Sequence, residues 1–287
     1  MAAKIIDGNA VAAQVREGLK ARVAALKAGG VTPGLAVVLV GSNAASAVYV
    51  RRKVRACEEV GLHSEVVRFP AEAPQAEVMA RLDVLNADPR IHGIIVQLPL
   101  PEGYDMRAVL QGIALEKDVD GFHLYNVGGL VLGGDRMVFP PCTPYGVQLL
   151  LEHEGIEIEG RNVVVVGASN IVGKPMAMML LRKEATVSIC HVKTRDLAQY
   201  TILADILVVA AGKPGLIRAE MVRTGAVVID VGINRLPDGR LVGDVDFEAV
   251  KQKASYITPV PGGVGPMTVT MLIWNTVEAA ERKRDAR

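Results

Sequence analysis

The stretch that decides the fold lies in the second half of the chain and reads Asn162-Val163-Val164-Val165-Val166-Gly167-Ala168-Ser169-Asn170-Ile171-Val172-Gly173-Lys174-Pro175. Its run of valines predicts a buried parallel strand, and the glycine turn that follows leads into a helix. These are the parts of a pyrophosphate cradle, because backbone N–H groups and the helix dipole attract phosphates there. The candidate dinucleotide-binding residues of this turn are Gly167, Ala168, Ser169, Ile171 and Gly173.

The spacing departs from the usual G-x-G-x-x-G pattern. Ser169 stands where the second glycine would be, and the last glycine comes one residue late. An ordinary strand–helix turn is therefore an alternative interpretation. A P-loop is excluded, because five residues rather than four separate Gly167 from Gly173, and Pro175 replaces the Ser or Thr that would bind magnesium.

Short apolar runs that resemble this strand recur along the chain. The predicted strands are Leu35–Val40, Val66–Phe69, Gly93–Leu98, Asn162–Val166, Thr186–Cys190, Ile206–Ala210, Val227–Val231 and Tyr256–Thr258. The predicted helices are Asn9–Ala28, Ala44–Val60, Gln75–Asn86, a segment near Tyr145–Glu154 and Thr268–Arg287. This alternation predicts an α/β protein whose second half is a doubly wound, Rossmann-type domain. The segment Asp118–Pro144 is rich in Gly and Pro and is predicted to be a linker with functional loops.

Composition excludes several classes of function. The chain of 287 residues has a net charge of +1, so it has no basic excess for nucleic acid. The apolar runs are strand-sized and too short to span a membrane, and we expect no secretory leader. Three cysteines without metal or redox spacing indicate a reduced, cytoplasmic setting, and five histidines without a ligand motif predict no metal.

The end of the second Rossmann strand discriminates between NAD and NADP. NAD sites usually place an acidic residue about 20 positions after the glycine turn, against the ribose 2′-hydroxyl. Here the strand continues as His191-Val192-Lys193-Thr194-Arg195, without an acid before Asp196. We predict that Lys193, Thr194 and Arg195 meet a 2′-phosphate, which favours NADP over NAD; a solvated loop is the alternative.

Candidate substrate residues lie in the first half of the chain. Tyr49 and Lys53 are four residues apart and share a helix face. Arg51, Arg52 and Arg55 surround Lys53 in sequence, and the residues alone favour a basic, solvated helix face. If the charges crowd Lys53, it would release its proton more readily and could exchange protons near neutral pH. Gln97 is polar at the end of an apolar strand, where ligands of parallel sheets bind, although a satisfied strand-end amide would look the same.

Two further segments carry candidate residues. Asp118 and Asp120 place two carboxylates in one loop, where one could bind an amino-substituted heterocycle or simply cap the turn. Pro259–Thr268 combines Pro and Gly at a density that fixes the backbone and allows a ligand to approach closely, although a rigid hinge is an alternative.

Taken together, these segments resemble a known family. The matching segments are Tyr49–Lys53 with Cys57–Gly61, Val96–Pro101, Lys117–Phe122, Pro141–Pro144, Gly167–Pro175, Ile229–Asn234 and Pro259–Thr268, and they cover nearly the whole chain in the family's order. The chain is similar to the bifunctional methylenetetrahydrofolate dehydrogenase/methenyltetrahydrofolate cyclohydrolases. The resemblance implies oxidation of 5,10-methylene-tetrahydrofolate with NADP, followed by hydrolysis to 10-formyl-tetrahydrofolate.

The resemblance also implies roles for individual residues. Lys53 matches the catalytic lysine of the cyclohydrolase step, Gln97 the glutamine that supports it, and Tyr49 the tyrosine that stacks on the folate. Asp120 matches the residue that anchors the pterin, and it is counted with Lys53 and Gln97 in the catalytic set. The loop residues Pro261, Gly262 and Gly263 are expected at the substrate, and Ile233 at the cofactor. Val192 stands where some relatives have Ser or Arg, so Lys193, Arg195 or Ser169 would have to bind the 2′-phosphate.

The family fold implies two α/β domains with a cleft between them and a homodimeric assembly. The expected domains are 1–140 with 269–287, which binds folate, and 141–268, which binds the dinucleotide.

Three alternative functions are considered. The first is a different NAD(P) dehydrogenase, such as a shikimate or amino-acid type, which predicts no joint role for Tyr49, Gln97 and Asp120. The second is a folate-binding protein without turnover, and the third is an enzyme that keeps only one of the two activities.

Overall fold

The computed structural model describes residues 2–133 and 139–285 and divides the chain into two compact units. The six-stranded unit contains the residues up to Ala13 together with Thr143–Thr268. The three-stranded unit contains Gln14–Cys142 and the chain from Val269 onward. Each unit has its own parallel sheet, as the α/β prediction requires.

The helices and strands follow one another along the chain in an α/β alternation. The strands are β1 (Lys4–Ile5), β2 (Gly34–Val40), β3 (His63–Phe69), β4 (Gly93–Val96), β5 (Asn162–Val166), β6 (Thr186–Cys190), β7 (Ile206–Val209), β8 (Val227–Asp230), β9 (Asn234–Arg235), β10 (Leu241–Val242) and β11 (Tyr256–Ile257). The α-helices are α1 (Gly8–Ala28), α2 (Ala44–Val60), α3 (Gln75–Ala87), α4 (Met106–Gln111), α5 (Leu124–Leu132), α6 (Cys142–His153), α7 (Gly173–Leu181), α8 (Ala198–Thr201), α9 (Phe247–Lys251) and α10 (Val264–Asp285).

The sheet of the three-stranded unit has the order β3-β2-β4, and all of its pairs are parallel. Every residue of the central strand β2 is buried, which explains its unbroken apolar sequence. Helix α2 begins after Asn43, whose side chain accepts a hydrogen bond from the Ser46 N–H. It ends at Gly61, whose φ of 85° is the left-handed conformation that glycine adopts most readily. The predicted start and end of this helix are confirmed.

The sheet of the six-stranded unit has the order β1-β11-β8-β7-β5-β6 and is parallel throughout. The chain passes from β5 outward to β6 and then returns to the other side of β5 as β7. The strand order therefore reverses at β5, and open parallel sheets bind ligands beyond the carboxyl ends of the strands at such a point. The glycine turn at Gly167 follows β5 directly and lies at this position.

The structure corrects several predicted bounds. Asp118–Pro144 is not only a linker, because it contains α5, where the His123 imidazole caps the helix and Asn126 and Leu130 are buried. Strand β4 ends at Val96, two residues before the predicted Leu98. The last helix begins at Val264 rather than Thr268, because Pro266 falls in its first turn, where proline is tolerated. The sequence also missed the short elements β1, α4, α8, α9, β9 and β10.

The N-terminal residues lie with a different unit from the one expected. Strand β1 extends the six-stranded sheet by pairing with β11, with Lys4 opposite Tyr256 and Ile5 opposite Ile257. The predicted division into 1–140 with 269–287 and 141–268 assigned this strand to the other domain, and as a division into domains it remains a prediction. Gly134, part of the predicted linker, and the last two residues of the predicted final helix lie outside the described residues. Among the described helices, none has the length and apolar character needed to cross a membrane.

Candidate active site

Lys53 is a buried lysine on α2, with only 9% of its surface exposed. Its Nζ donates a hydrogen bond to Gln97 Oε1 at 3.0 Å. Gln97 Nε2 donates to the Leu98 carbonyl at 2.8 Å, so the oxygen of the Gln97 amide is turned toward the lysine. Gln97 directly follows β4, at the carboxyl end of the sheet. The structure therefore joins the two residues that the sequence placed 44 positions apart.

The basic, solvated helix face that the residues alone favour for Lys53 describes its neighbours instead. Arg51, Arg52 and Arg55 are exposed, whereas Lys53 points into the unit. Tyr49 lies one helical turn earlier and is half-buried. Burial raises the pKa of the Tyr49 phenol, and the charge of Arg52 opposes this shift, so the ring stays neutral near pH 7. A neutral, half-exposed ring is suited to stacking on a flat ligand.

Asp118 performs the structural role that the sequence left open for either carboxylate. It is 1% exposed and accepts hydrogen bonds from the Phe122 N–H at 3.2 Å and the His123 N–H at 2.7 Å. The Asn126 amide donates to it at 2.7 Å and in turn accepts from the Phe139 N–H at 3.2 Å. Burial raises the pKa of Asp118, and these hydrogen bonds oppose the shift. Its oxygens are thus used to shape the loop.

Asp120 remains the carboxylate suited to a ligand. It is partly exposed, and burial raises its pKa, while the charge of Lys53 and a hydrogen bond from the Cys142 thiol act in the opposite direction. The same thiol lies 3.2 Å from the Val119 carbonyl, and its single proton can serve only one of these acceptors at a time. Lys53, Asp120 and Cys142 therefore share one electrostatic environment.

The glycine turn after β5 has the geometry of a phosphate cradle. Gly167 has a φ of 122°, and a Cβ there would overlap the Ala210 carbonyl oxygen. A Cβ on Gly173, at the start of α7, would overlap the Gly167 carbonyl oxygen. Gly173 thus allows the close packing of the last glycine of the motif although it comes one residue late. Ser169 Oγ accepts from the N–H groups of Val172 at 3.1 Å and Gly173 at 3.3 Å, so it caps the helix.

Both remaining residues of the turn are accessible at its surface. Ala168 and Ile171 are half-buried beside the exposed Ser169. A tight glycine turn between a parallel strand and a helix N-terminus is where the pyrophosphate of a dinucleotide binds, and glycine is required at both positions because a Cβ would overlap a neighbouring carbonyl oxygen. The residues present therefore fit a dinucleotide.

The loop after β6 separates the three candidate residues for the 2′-phosphate. Thr194 Oγ1 accepts a hydrogen bond from the His191 N–H at 2.9 Å, so the threonine stabilises the turn. Lys193 and Arg195 have exposed side chains, and neither forms an ion pair with another residue in the described ranges. Val192 is 95% exposed and apolar. Lys193 and Arg195 are therefore the two cations of this loop that are available to an anion.

The loop Pro259–Thr268 lies in the six-stranded unit. Gly262 has a φ of 108°, and its carbonyl accepts from the Asn9 N–H at 3.1 Å. A Cβ on Gly263 would lie 2.6 Å from the Pro259 carbonyl oxygen, so the loop folds tightly on itself. Pro261 is exposed at its tip. Ile233, which is 44% exposed, lies next to Gly265 of the same loop.

A pair of buried carboxylates beside the cradle was not predicted. Asp244 accepts from the N–H groups of the loop after β7, namely Ala211 at 2.7 Å, Gly212 at 2.9 Å and Lys213 at 2.8 Å. Asp230 accepts from the N–H groups of Gly232 at 3.0 Å, Asp244 at 3.0 Å and Val245 at 2.9 Å. Glycines flank both: a Cβ on Gly232 would overlap Asp244, and one on Gly243 would overlap Asp230. The flanking glycines, and the place of Asp230 in the family-matching segment Ile229–Asn234, were the sequence signals for this pair.

The Asp230 carboxyl predicts a pH dependence of stability. Burial raises its pKa from 3.8 to about 6, against the effect of its backbone hydrogen bonds. Because the pKa of Asp230 is higher in the folded than in the unfolded state, the folded protein binds more protons. The stabilisation that this proton binding gives the folded state is complete below about pH 4 and is lost as the pH rises through about 6. We expect the unfolding free energy of the wild type, relative to Asp230→Asn, to fall by about 2–3 kcal/mol across that window in urea titrations.

The Asn variant removes the titrating group and weakens its hydrogen bonds at every pH, so only the pH-dependent part of the difference is informative. Asp196→Asn alters an exposed carboxyl in the same unit and serves as the control. Parallel curves for the wild type and Asp230→Asn between pH 4 and 7 would contradict the assignment.

The described residues contain no cluster of three or more His, Cys, Asp or Glu side chains arranged to hold a metal ion. The candidate groups of the three-stranded unit are the Lys53 amine, the Gln97 amide and the Asp120 carboxylate, and those of the six-stranded unit are the glycine cradle and the exposed cations Lys193 and Arg195.

Comparison with known proteins matches two successive segments of the chain to one family. Residues 6–120 match the catalytic domain of the tetrahydrofolate dehydrogenase/cyclohydrolase family, and residues 141–284 match its NAD(P)-binding domain. The bifunctional protein FolD of Nitrosospira multiformis is 62% identical over 282 residues, which are 98% of this chain and 97% of that protein.

Two solved structures are similar over nearly the full chain. The bifunctional FolD methylenetetrahydrofolate dehydrogenase/cyclohydrolase of Campylobacter jejuni is 52% identical with a TM-score of 0.96, over 98% of this chain and 100% of that one. The Trypanosoma brucei enzyme complexed with NADP and an inhibitor is 41% identical with a TM-score of 0.95, over 99% of both chains. A different class of NAD(P) dehydrogenase is thereby excluded, and this chain belongs to the tetrahydrofolate dehydrogenase/cyclohydrolase family.

Proposed function

We propose that this protein oxidises 5,10-methylene-tetrahydrofolate to the 5,10-methenyl form with NADP and hydrolyses that product to 10-formyl-tetrahydrofolate. The observation that carries the proposal is the buried Lys53 amine held by Gln97 in the electrostatic environment of Asp120. Membership of the family and relatives named as bifunctional FolD proteins support it. A folate-binding protein without turnover would not need this lysine buried and oriented.

The folate pterin binds through Tyr49 and Asp120 in this proposal. The half-buried Tyr49 ring stacks on the flat heterocycle, and Asp120 accepts hydrogen bonds from its amino group. Asp118 cannot take this part, because its oxygens already bind the Phe122 and His123 N–H groups and the Asn126 amide. Pro261, Gly262 and Gly263 are proposed as further substrate contacts from the tight loop of the six-stranded unit.

Hydrolysis uses Lys53 as a proton carrier. The oxygen of a water molecule adds to the cationic methenyl carbon, and the proton that it loses passes to the Lys53 amine. The bond from that carbon to N5 then breaks, and Lys53 returns the proton to the departing nitrogen. The hydroxyl on the carbon releases its own proton to solvent as its oxygen becomes the carbonyl, which leaves a formyl group on N10. General acid–base catalysis of this kind contributes about 10²–10⁴-fold. Gln97 holds the amine in place through its oxygen.

NADP would be held by the six-stranded unit: Gly167–Gly173 would hold its pyrophosphate, Lys193 and Arg195 would bind its 2′-phosphate, and Ile233 is proposed as a further cofactor contact. The bound cofactor supplies the hydride acceptor. The protein contributes orientation more than proton transfer here, since the nitrogen lone pairs of the substrate favour loss of the hydride. Holding the reacting groups in place can remove several kcal/mol of the barrier.

The cofactor preference is tested by the rate of dinucleotide reduction with methylene-tetrahydrofolate. We expect NADP to be reduced with far higher kcat/KM than NAD. Lys193→Ala and Arg195→Ala should each lower kcat/KM for NADP about tenfold, because each removes a charge-assisted bond to phosphate of about 1.5 kcal/mol. The value for NAD should stay within twofold, since NAD lacks the 2′-phosphate.

Arg182→Ala removes an exposed cation at the opposite end of α7 and serves as the matched control. Equal losses with NADP and NAD in the Lys193 and Arg195 variants would show that these residues do not recognise the 2′-phosphate. Preference for NAD in the wild type would overturn the cofactor assignment, with the apolar Val192 as the physical reason.

We further propose that the two domains bind different ligands: residues 1–140 with 269–287 bind folate, and residues 141–268 bind NADP.

The family resemblance also supports a homodimer, which sedimentation of the purified protein tests. Cys57, Cys142 and Cys190 are buried and free, which supports a reducing, cytoplasmic location.

A further inference from the structure

Asn275 is a fully buried amide in the middle of α10. Its Nδ2 donates to the Val119 carbonyl at 2.8 Å and to the Pro140 carbonyl at 3.0 Å, and it lies 3.8 Å from Cys142 Sγ. These residues all belong to the three-stranded unit. One side chain of the C-terminal helix therefore holds two loop segments that are far from it in sequence.

Both segments lie next to Asp120, one along the chain and one by packing. Val119 is the residue before Asp120, so a hydrogen bond to its carbonyl fixes the peptide from which the Asp120 side chain projects. The segment around Pro140 packs against the residue after Asp120, since a Cβ on Gly121 would lie 2.7 Å from Pro141 N and 2.8 Å from the Phe139 carbonyl oxygen. The amide thus holds the peptide before Asp120 and the segment on which the next residue rests.

The geometry of the amide leaves its oxygen without a partner. Both neighbours of Nδ2 are carbonyl oxygens, which only a donor can satisfy, so the orientation of the amide is determined. Asn275 Oδ1 is consequently buried and makes no hydrogen bond to any described residue. An unpaired buried acceptor destabilises a fold, and an apolar side chain would pack at this helix position without that cost. An amide here is explained by a requirement for its two donor hydrogens.

We propose that Asn275 is a positioning residue, which fixes the Asp120 carboxylate in the orientation that binds the pterin. This inference rests on the proposed role of Asp120. Asn275 does not touch the substrate in this account, and it acts only through the Val119–Asp120 peptide. A purely structural role, tying α10 to the rest of the unit, is the competing explanation.

The test is steady-state kinetics of Asn275→Leu, a substitution that suits a buried helix position. We expect the KM for 5,10-methylene-tetrahydrofolate to rise about tenfold, because the Asp120 loop loses its fixed orientation. The KM for NADP should stay within twofold, since the six-stranded unit is unchanged. The control is Thr276→Val, which removes a buried hydroxyl whose bond goes to Leu272 of the same helix, and it should change neither value.

A double-mutant cycle with Asp120→Asn separates positioning from structure. If Asn275 acts through Asp120, adding Asn275→Leu to Asp120→Asn should raise the folate KM by less than twofold further. A full tenfold additional increase would overturn the proposal, as would an unchanged folate KM in Asn275→Leu alone. If Asp120→Asn by itself leaves the folate KM unchanged, the role of Asp120 fails first and this inference with it.

Thermal unfolding of each variant checks that it is folded, so that a change in KM does not simply reflect unfolded protein. Should Asn275→Leu not fold, Asn275→Ser gives the same test, because serine is small and polar but too short to reach both carbonyls. Equal increases in the KM for folate and for NADP in either variant would indicate a general structural role and overturn the proposal.

Discussion

Lys53→Met is expected to lower the rate of methenyl-tetrahydrofolate hydrolysis by about 10²–10⁴-fold, the usual contribution of a general acid–base group. Methionine has nearly the length of lysine and suits the buried site, so the packing of α2 should be kept. What is lost is the proton carrier that Gln97 orients at 3.0 Å. The measurement follows the disappearance of supplied methenyl-tetrahydrofolate, and fluorescence titration measures folate binding, which should be retained.

Arg55→Met is the matched control for this prediction. It likewise replaces a basic side chain of the same helix with methionine, but Arg55 is exposed and lies outside the proposed site. Its hydrolysis rate should equal that of the wild type. Hydrolysis that is unchanged in Lys53→Met would remove the lysine from the mechanism, and equal losses in both variants would indicate that positive charge alone is required.

Local patterns in the sequence were sufficient to predict most of the fold. A buried parallel strand is apolar along its whole length, and for this reason β2, β5 and β7 were located to within one residue at each end. The pattern failed where apolar periodicity is absent. The α5 sequence contains adjacent glycines, which indicate a loop, and only the buried contacts of Asn126 and Leu130 explain why it is a helix.

The sequence was sufficient to name most of the candidate site residues, but it did not predict which hydrogen bonds they form. The residue pattern alone left Asp118 and Asp120 equivalent, and only the family resemblance singled out Asp120. The physical difference between them lies in the three hydrogen bonds that Asp118 accepts from residues that follow it in the chain. Asn275 gave no signal at all, since it meets Val119 across 156 residues of sequence. Residue propensities and motifs depend on residues that are close together in sequence. Contacts between residues this far apart in sequence arise only from the tertiary fold.

The proposed residues also assign the two activities to different parts of the chain. Hydrolysis transfers no electrons and needs the amine of Lys53 but no dinucleotide. Oxidation needs the dinucleotide and, in this mechanism, no strong base. A substitution confined to the glycine cradle should therefore separate the activities in the direction opposite to Lys53→Met.

Gly173→Ala is expected to lower kcat/KM for NADP reduction by about 10²-fold or more and to leave hydrolysis of supplied methenyl-tetrahydrofolate within twofold. A Cβ at this position overlaps the Gly167 carbonyl oxygen, so backbone must move on one side of the turn. A displacement of about 1 Å of a positioning element can cost about 10²-fold in rate. Both rates are measured on the same preparation, so any loss of active protein would lower them together.

Gly18→Ala provides the control for this substitution, because Gly18 is an exposed helical glycine where an added Cβ would meet no atom within 4 Å. It should leave both rates unchanged and, through the helix propensity of alanine, stabilise α1 by about 0.5–1 kcal/mol. Unchanged NADP reduction in Gly173→Ala would mean that the turn tolerates a side chain, and the pyrophosphate would then have to bind elsewhere. A parallel loss of hydrolysis at full thermal stability would show that the two activities are coupled through this turn, which the separate assignment of amine and cradle forbids.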